Sequence, residues 1–273
     1  MTQPNYQTIV VREQAGVVHV TLQRPDVRNA MNGEMVDELR AVLSLAEKRS
    51  DVRALVLRGA GGNFSAGADL KDLSRAQAAA PPGQDPVSEW NAAFGRLCAA
   101  YACTELPVVV ALEGAVMGGG FGLACVADVV LAASSAVFRL PETSLGLLPA
   151  QIAPFMLARI GYSETKRLSV TGGKIDAQEA LTIRLVHSVH ADSAALDAAV
   201  SSTLEKIRAC APEATRATKA LLMKAYTEQN EGIGALVDHA AALFAKAFRG
   251  PEAQEGIGAF LQKQKPSWAK DPQ

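Results

Sequence analysis

The stretch PVVVALEGAVMGGGFGLACVADVVLAAS, residues 107–134, places a glycine-rich segment between two apolar runs. Neither run, 107–112 nor 128–134, shows the polar alternation of a half-exposed strand, so each predicts a strand that is buried on both faces. The glycine-rich segment between them opens a helix. Buried strands that alternate with helices indicate an α/β fold with a layered core.

The sequence before this stretch repeats the alternation. A tight turn at Ala15-Gly16 joins two short strands. Apolar residues on one stripe predict a helix over 33–47, and the run VRALVLRG (52–59) predicts another buried strand. The alanines, prolines and glycine of 75–90 predict a mobile excursion, which leads into a helix over 90–103.

The character of the chain changes beyond Gly161. The last third is rich in alanine and helical in pattern, with one short strand, LVHSVH, between the helices. We therefore expect a core over residues 1–200 and a helical region over 201–273. A helical appendage on an α/β core often serves as a lid or as an assembly surface.

The composition excludes several function classes. The chain has 273 residues, of which 49% are hydrophobic and 20% are charged, and its net charge is −1. Balanced charge disfavours nucleic-acid binding, and no apolar run is long enough to span a bilayer. The first residues lack the pattern of a signal peptide, so we expect a cytoplasmic protein. The four cysteines fit no zinc pattern, so we expect no metal.

Two glycine-rich segments, Gly61–Leu73 and Glu113–Ala124, each follow a buried strand and open a helix. The first amide N–H groups of a helix have no partner inside it, and two such groups that converge on one point would form an oxyanion hole. Glycines after strands also make ordinary turns. Neither segment matches a phosphate-binding loop or a dinucleotide-binding motif.

Glu142 lies in an apolar sequence context, FRLPETSLGLLPA. Apolar neighbours raise the pKa of a carboxyl group, which suits proton transfer near neutral pH. The alternative is a solvated glutamate on a surface turn.

Taken together, six segments resemble the crotonase superfamily, that is, the enoyl-CoA hydratase/isomerase family. They cover nearly the whole chain, and their order and spacing agree: VHVTLQRPDVRNAMN, FSAGADLKDL, EGAVMGGGFGLACVADVVLA, FRLPETSLGLLP, TGGKIDAQEAL and EGIGAFLQKQKPSW. The resemblance implies a spiral of ββα units, with a C-terminal helical region that assembles trimers or hexamers. It also implies an acyl-CoA substrate and no tightly bound cofactor besides the coenzyme A of that substrate.

The resemblance also implies roles at matching positions. The backbone N–H groups of Ala68 and Gly119 would bind the thioester oxygen, and Glu142 would be the catalytic acid and base. Lys71, with Lys263 or Lys265, could bind the phosphates of coenzyme A. The coenzyme A segment would comprise Ala66, Ala68, Asp69, Leu70 and Lys71, together with Gly119. Asp69 is equally well placed to cap the following helix.

Three departures from the family pattern bear on the reaction. Ordinary hydratases carry a second glutamate where this chain has Gly122. The glycine-rich stretch after the catalytic glutamate is replaced by residues 149–153, although Ala150 keeps an N–H group. Arg184 stands where a turn usually has glycine.

The expected reaction is hydration of a 2-enoyl-CoA. The pattern is closest to methylglutaconyl-CoA and isohexenylglutaconyl-CoA hydratases, and Gln151 could receive the second carboxylate of such substrates. Since one carboxylate remains for proton transfer, a Δ3,Δ2-enoyl-CoA isomerase is the alternative. An inactive scaffold or an RNA-binding member is the alternative of another class, and the balanced charge disfavours RNA.

Overall fold

The computed structural model describes residues 5–227 and 233–270. The strands are β1 (Ile9–Gln14), β2 (Val17–Leu22), β3 (Ala54–Gly59), β4 (Val108–Leu112), β5 (Ala115–Met117), β6 (Val129–Ala133), β7 (Val137–Arg139), β8 (Lys174–Asp176) and β9 (Ser188–His190). The helices are α1 (Gly33–Glu47), α2 (Leu70–Ala79), α3 (Pro86–Cys103), α4 (Gly119–Val126), α5 (Ala153–Thr171), α6 (Ala177–Thr182), α7 (Ser193–Ala209), α8 (Pro212–Thr227), α9 (Ile233–Arg249) and α10 (Pro251–Leu261).

The main sheet has the strand order β1-β2-β3-β4-β6-β9. The edge strand β1 runs antiparallel to β2, and the pairs from β2 through to β9 are all parallel. One face packs against α1, α3 and α4, and the side chains of α7 cover the other face over β3, β4 and β6. The central strand β4 is buried along its whole length. The predicted α/β core with strands buried on both faces is therefore confirmed.

Most local predictions before α2 are confirmed. The turn at Ala15-Gly16 joins β1 to β2, and the helix over 33–47 has the predicted bounds. The side chain of Asn32 fixes the start of α1, because it accepts a hydrogen bond from the N–H group of Met35.

The excursion predicted over 75–90 is shorter than expected. Residues 75–79 belong to α2, and α3 begins at Pro86 rather than at Trp90. Asp85 caps α3 by accepting from the N–H group of Ser88, and a proline fits the first helical position because its missing N–H would have no partner there. The sequence pattern indicates helix breaks at the prolines, whereas one of them starts a helix.

A second sheet, with the order β5-β7-β8, is absent from the prediction. Its strands have three residues each and are too short to show a periodicity in the sequence. The N–H group of Gly118, which follows β5, donates to the carbonyl of Arg139 at the end of β7. This sheet thus positions the start of α4 beside the chain that leads to Glu142.

The C-terminal third is helical, as predicted. The helix α5 is broken at Gly161, which has φ 73° and ψ 171°. The division at residue 200 falls inside α7, which packs on the sheet and therefore belongs to the core. Arg184 has a φ of 64°, a left-handed conformation that glycine adopts more easily than arginine. Part of the 201–273 region, residues 228–232 and 271–273, lies outside the described residues.

The part of the chain that the structure describes has no helix that is both long and apolar enough to cross a bilayer. The same residues contain no cluster of three or more histidine, cysteine, aspartate or glutamate side chains with the arrangement of a metal site.

Candidate active site

A cleft of about 230 Å³ opens where the loop after β3 meets the start of α4. Its lining is mostly apolar, as is typical of small-molecule sites. The residues predicted for the site that line it are Ala66, Ala68, Leu70, Gly119, Glu142, Ala150 and Gln151. Asp69 and Lys71 do not line it. The fold thus brings together both predicted amides and the predicted acid.

The two backbone segments of the cleft pair with each other. The N–H group of Ser65 donates to the carbonyl of Ala115 at 2.8 Å, and the N–H group of Met117 donates to the carbonyl of Ser65 at 2.9 Å. Gly67 follows with a φ of 91°, and a Cβ on it would lie 3.0 Å from the carbonyl oxygen of Met117. Such a close approach at positive φ requires glycine.

The amides of Ala68 and Gly119 are both available to a ligand. Met31 donates to the carbonyl of Gly67 at 2.7 Å and accepts from the N–H group of Asp69 at 2.9 Å, so the N–H group of Ala68 between them faces away from Met31. Gly119 is the first residue of α4, where amides have no acceptor inside the helix. Within the described chain neither amide donates a hydrogen bond.

Glu142 stands in the same cleft, at the start of a turn of 3-10 helix that follows Pro141. Its Oε2 atom is buried and has no hydrogen-bond partner among the described residues. Burial raises the pKa of this carboxyl above its ordinary value, as its apolar neighbours predict. A raised pKa favours a role in proton transfer, because it brings the carboxyl closer to the range in which general acids and bases work near neutral pH.

Ile152 occupies the space beside Gly122. A Cβ on Gly122 would overlap Cγ2 of Ile152 and lie 3.2 Å from its Cβ. A side chain at position 122 would therefore collide with this wall of the cleft, and Glu142 is the sole carboxylate among the described residues that line it. The helix α3 contributes Trp90 and Phe94 to the lining, and their rings stack at 5.8 Å between centroids.

Asp69 caps the helix α2 and does not line the cleft. Its carboxylate accepts from the N–H group of Asp72 at 3.2 Å, which caps α2, and pairs with the guanidinium of Arg24 at 2.9 Å. Burial alone would raise the pKa of Asp69, but the N–H group of Asp72 and the guanidinium of Arg24 bring that pKa below its ordinary value. The capping alternative for Asp69 is confirmed.

The predicted lysines lie in different places. Lys71 borders a shallow groove with Arg75, next to the cleft. Lys265 lines a groove with Arg53 at the amino end of β3, whereas the cleft follows the carboxyl end of that strand. Lys263 follows the C-cap residue of α10, Gln262, and does not line the cleft. Of these three lysines, all of which the structure describes, Lys71 alone is near the cleft.

Several lining residues are absent from the prediction, among them Trp90, Asn91, Phe94, Gly118 and Ile152. A glycine inside the helical pattern of α3, Gly95, is the one signal in the sequence that points to this wall, since such a glycine often marks a close approach.

Comparison with known proteins places these features in one family. The sequence profile of the enoyl-CoA hydratase/isomerase family matches residues 12–271. The short-chain-enoyl-CoA hydratase of Clostridium acetobutylicum is 31% identical over 263 residues, which are 94% of this chain and 95% of that protein. The 2,3-dehydroadipyl-CoA hydratase of Escherichia coli is 30% identical over 261 residues, which are 95% and 98% of the two chains.

The solved structure of Pseudomonas aeruginosa AtuE superposes with a TM-score of 0.92 at 50% identity and covers 97% of this chain and 100% of its own. Profile, sequence and structure agree over the core and the C-terminal helices, so the expected crotonase fold is confirmed. The chain belongs to the enoyl-CoA hydratase/isomerase family.

Proposed function

We propose that the protein adds water to the double bond of a 2-enoyl-CoA whose acyl group occupies the cleft. The observation that supports this most directly is the position of the unpartnered Oε2 atom of Glu142, in one cleft with the free amides of Ala68 and Gly119. Two relatives at 30–31% identity are named as enoyl-CoA hydratases of different acyl groups.

In this proposal the N–H groups of Ala68 and Gly119 donate to the thioester oxygen, which gains negative charge as the enolate forms. In comparable sites, removal of one such donor costs about 2.7–4 kcal/mol of transition-state stabilisation. Glu142 takes a proton from the water that attacks the β-carbon, and then gives a proton to the α-carbon. Positioned acid–base groups typically contribute about 10²–10⁴-fold in rate.

We further propose a branched glutaconyl thioester of the 3-methylglutaconyl or isohexenylglutaconyl type as the substrate. Such acyl groups carry a second carboxylate, and the polar side chain of Gln151 lines the mostly apolar cleft. The Escherichia coli relative is named for 2,3-dehydroadipyl-CoA, a thioester of a dicarboxylic acid.

A Δ3,Δ2-enoyl-CoA isomerase is the second candidate, and Ile152 favours it. Because Ile152 fills the space beside Gly122, Glu142 would have to transfer protons without a second carboxylate. Isomerisation requires one group that moves a proton between two carbons, whereas hydration also requires a positioned water.

A substrate panel separates these reactions. The purified protein is offered crotonyl-CoA, 3-methylglutaconyl-CoA and a 3-enoyl-CoA, and the conjugated thioester is followed by its absorbance. We expect loss of conjugation, fastest with the glutaconyl thioester. Faster turnover of crotonyl-CoA would reject the branched substrate, and a gain of conjugation from the 3-enoyl-CoA without water uptake would establish the isomerase.

The variant Glu142→Gln tests the catalytic role. We expect at least about 100-fold lower kcat with little change in substrate binding, because the amide cannot carry the proton. The exposed Glu105→Gln is the matched control and should retain full activity. Full activity in both variants would contradict the catalytic role of Glu142, and no activity in the unmutated protein or in either variant would favour the inactive scaffold.

We also propose that Ala66, Leu70 and Lys71 contact coenzyme A, and that the C-terminal helices assemble trimers or hexamers. These helices carry large exposed apolar side chains, which often mark protein interfaces: Leu222, Phe244, Phe248, Phe260 and Leu261. Light scattering coupled to gel filtration should give the mass of three or six chains. A monomer would reject the assembly.

A further inference from the structure

The turn before α5 lies between α3 and α4. Two consecutive side chains of this turn, those of Gln151 and Ile152, contact the two helices. A Cβ on Gly95 of α3 would overlap Oε1 of Gln151 and lie 2.8 Å from its Cδ. A Cβ on Gly122 of α4 would overlap Cγ2 of Ile152. Each of these side chains therefore occupies space that exists because the adjacent helix carries a glycine.

Two carboxamides line the cleft at this wall. Gln151 lies against Gly95, and Asn91 stands one helical turn before Gly95 on the same face of α3. Both side chains are partly buried, and neither makes a hydrogen bond to another described residue. Apart from Glu142, the other described side chains of the lining are apolar.

A pair of unpartnered carboxamides in a mostly apolar cleft favours a ligand with a charged hydrogen-bond acceptor. Each carboxamide offers N–H donors, and hydrogen bonds to a charged acceptor are stronger than those to a neutral one. An acyl chain that ends in a methyl group would bury these donors without an acceptor, and sites of this kind discriminate strongly against such ligands. A carboxylate on the acyl group would satisfy both carboxamides.

We propose that Asn91 and Gln151 together bind a carboxylate on the acyl group, and that Gly95 is the positioning residue that keeps the Gln151 carboxamide in the cleft. The inference rests on the proposed acyl-CoA chemistry and adds to it the residues that select the substrate. Neither carboxamide takes part in the proton transfers, which remain with Glu142.

The experiment compares glutaconyl-CoA with 2-pentenoyl-CoA, which has the same chain length and ends in a methyl group. For Asn91→Ala and for Gln151→Ala we expect kcat/KM with glutaconyl-CoA to fall roughly 10- to 100-fold, as for loss of a hydrogen bond to a charged group. With 2-pentenoyl-CoA the change should be less than about threefold. Equal losses with both thioesters, or no loss, would overturn the inference.

Gly95→Ala tests the positioning role. It should reduce the selectivity for glutaconyl-CoA although Gln151 is still present, and Gly95→Ala/Gln151→Ala should be no worse than Gln151→Ala alone. The matched control is Gly258→Ala, a helical glycine of α10 whose added Cβ would have no atom within 4 Å. Additive losses, or selectivity that Gly95→Ala leaves unchanged, would show that Gly95 does not act through Gln151.

A binding measurement separates this inference from the proposed reaction. The Glu142→Gln variant is titrated calorimetrically with both thioesters, which requires no turnover. Tighter binding of glutaconyl-CoA, lost in Glu142→Gln/Gln151→Ala, supports the carboxamide site even if the wild type hydrates neither thioester and the proposed hydration fails. Equal affinities would overturn the carboxamide site even if hydration of 2-pentenoyl-CoA upholds the proposed reaction.

Discussion

Gly118 and Glu142 lie against each other in the lining of the cleft: a Cβ on the glycine would lie 2.9 Å from Oε1 of the glutamate. Gly118 also has φ 48° and ψ −114°, a conformation that side chains disfavour. The position of the proposed catalytic carboxyl thus depends on a residue that contributes no side chain.

Gly118→Ala should therefore displace the carboxyl and reduce kcat by at least about tenfold, since small misplacements of catalytic groups cost large factors in rate. Gly83→Ala is the matched control, because Gly83 has a φ of 90° but no atom within 4 Å of an added Cβ. Steady-state kinetics and thermal melts are measured for both. If the two variants lose activity equally, backbone strain rather than the contact with Glu142 is responsible.

The raised pKa of Glu142 makes stability depend on pH. The folded chain binds this proton more tightly than the unfolded chain, so its contribution is fully present below the unfolded pKa and is lost as pH rises through the folded pKa. Glu142→Gln should raise Tm by a few degrees at pH 7 and leave it unchanged at about pH 4. An equal shift at both values would contradict burial of the charge as the cause.

Asp69 should affect both stability and substrate binding, because it caps the helix that starts beside Ala68. Asp69→Ala should cost about 1 kcal/mol or more of unfolding free energy, and Asp69→Asn less, since Asn keeps the capping oxygen. The lowered pKa of Asp69 means that this stability is present above its unfolded pKa and is lost as pH falls through the folded value.

Asp192→Ala is the matched control for Asp69, because Asp192 caps α7 away from the cleft. It should lower Tm without raising KM for the enoyl-CoA, whereas Asp69→Ala should do both. A KM that Asp69→Ala leaves unchanged would show that the cap does not hold the amide of Ala68.

Lys219 holds α8 on the core. Its Nζ atom donates to the carbonyl of Leu106 at 2.8 Å and pairs with Asp128 at 2.6 Å, and its side chain is 14% exposed. Lys219→Met should cost about 1–3 kcal/mol of unfolding free energy, because two acceptors lose their partner. Lys246→Met, at an exposed position of α9, should change it little. Similar denaturation curves for the two variants would refute this role.

The sequence predicts those elements whose signal is local. The helix over 33–47 has an apolar stripe in its own sequence, so it could be predicted with its bounds, and the structure adds that Asn32 caps its start. The strands β5, β7 and β8 could not, because three residues carry no period and their stability comes from pairing across the fold. The predicted start of α3 is wrong because a proline such as Pro86 favours helix starts and breaks alike.

Some features of the candidate site could likewise be predicted from the sequence, and others could not. The apolar neighbours of Glu142 are close in sequence, so its raised pKa could be predicted from the sequence alone. The contacts of Gln151 with Gly95 and of Ile152 with Gly122 join the turn before α5 to two other helices, α3 and α4. The glycine at position 95 signals a close approach, but no local pattern indicates which residue makes it. The walls of the cleft are therefore a property of the tertiary packing, which local patterns do not encode.

The backbone pairing of Ser65 with Met117 joins two segments that are far apart in the sequence, so the cleft between them can form only late in folding. Closing the long loop between Ser65 and Met117 has an entropic cost, and the formation of local helices does not close it. A nascent chain can thus have helices before it has a cleft, and the two amides proposed to bind the thioester come together only in a chain that has completed its sheet.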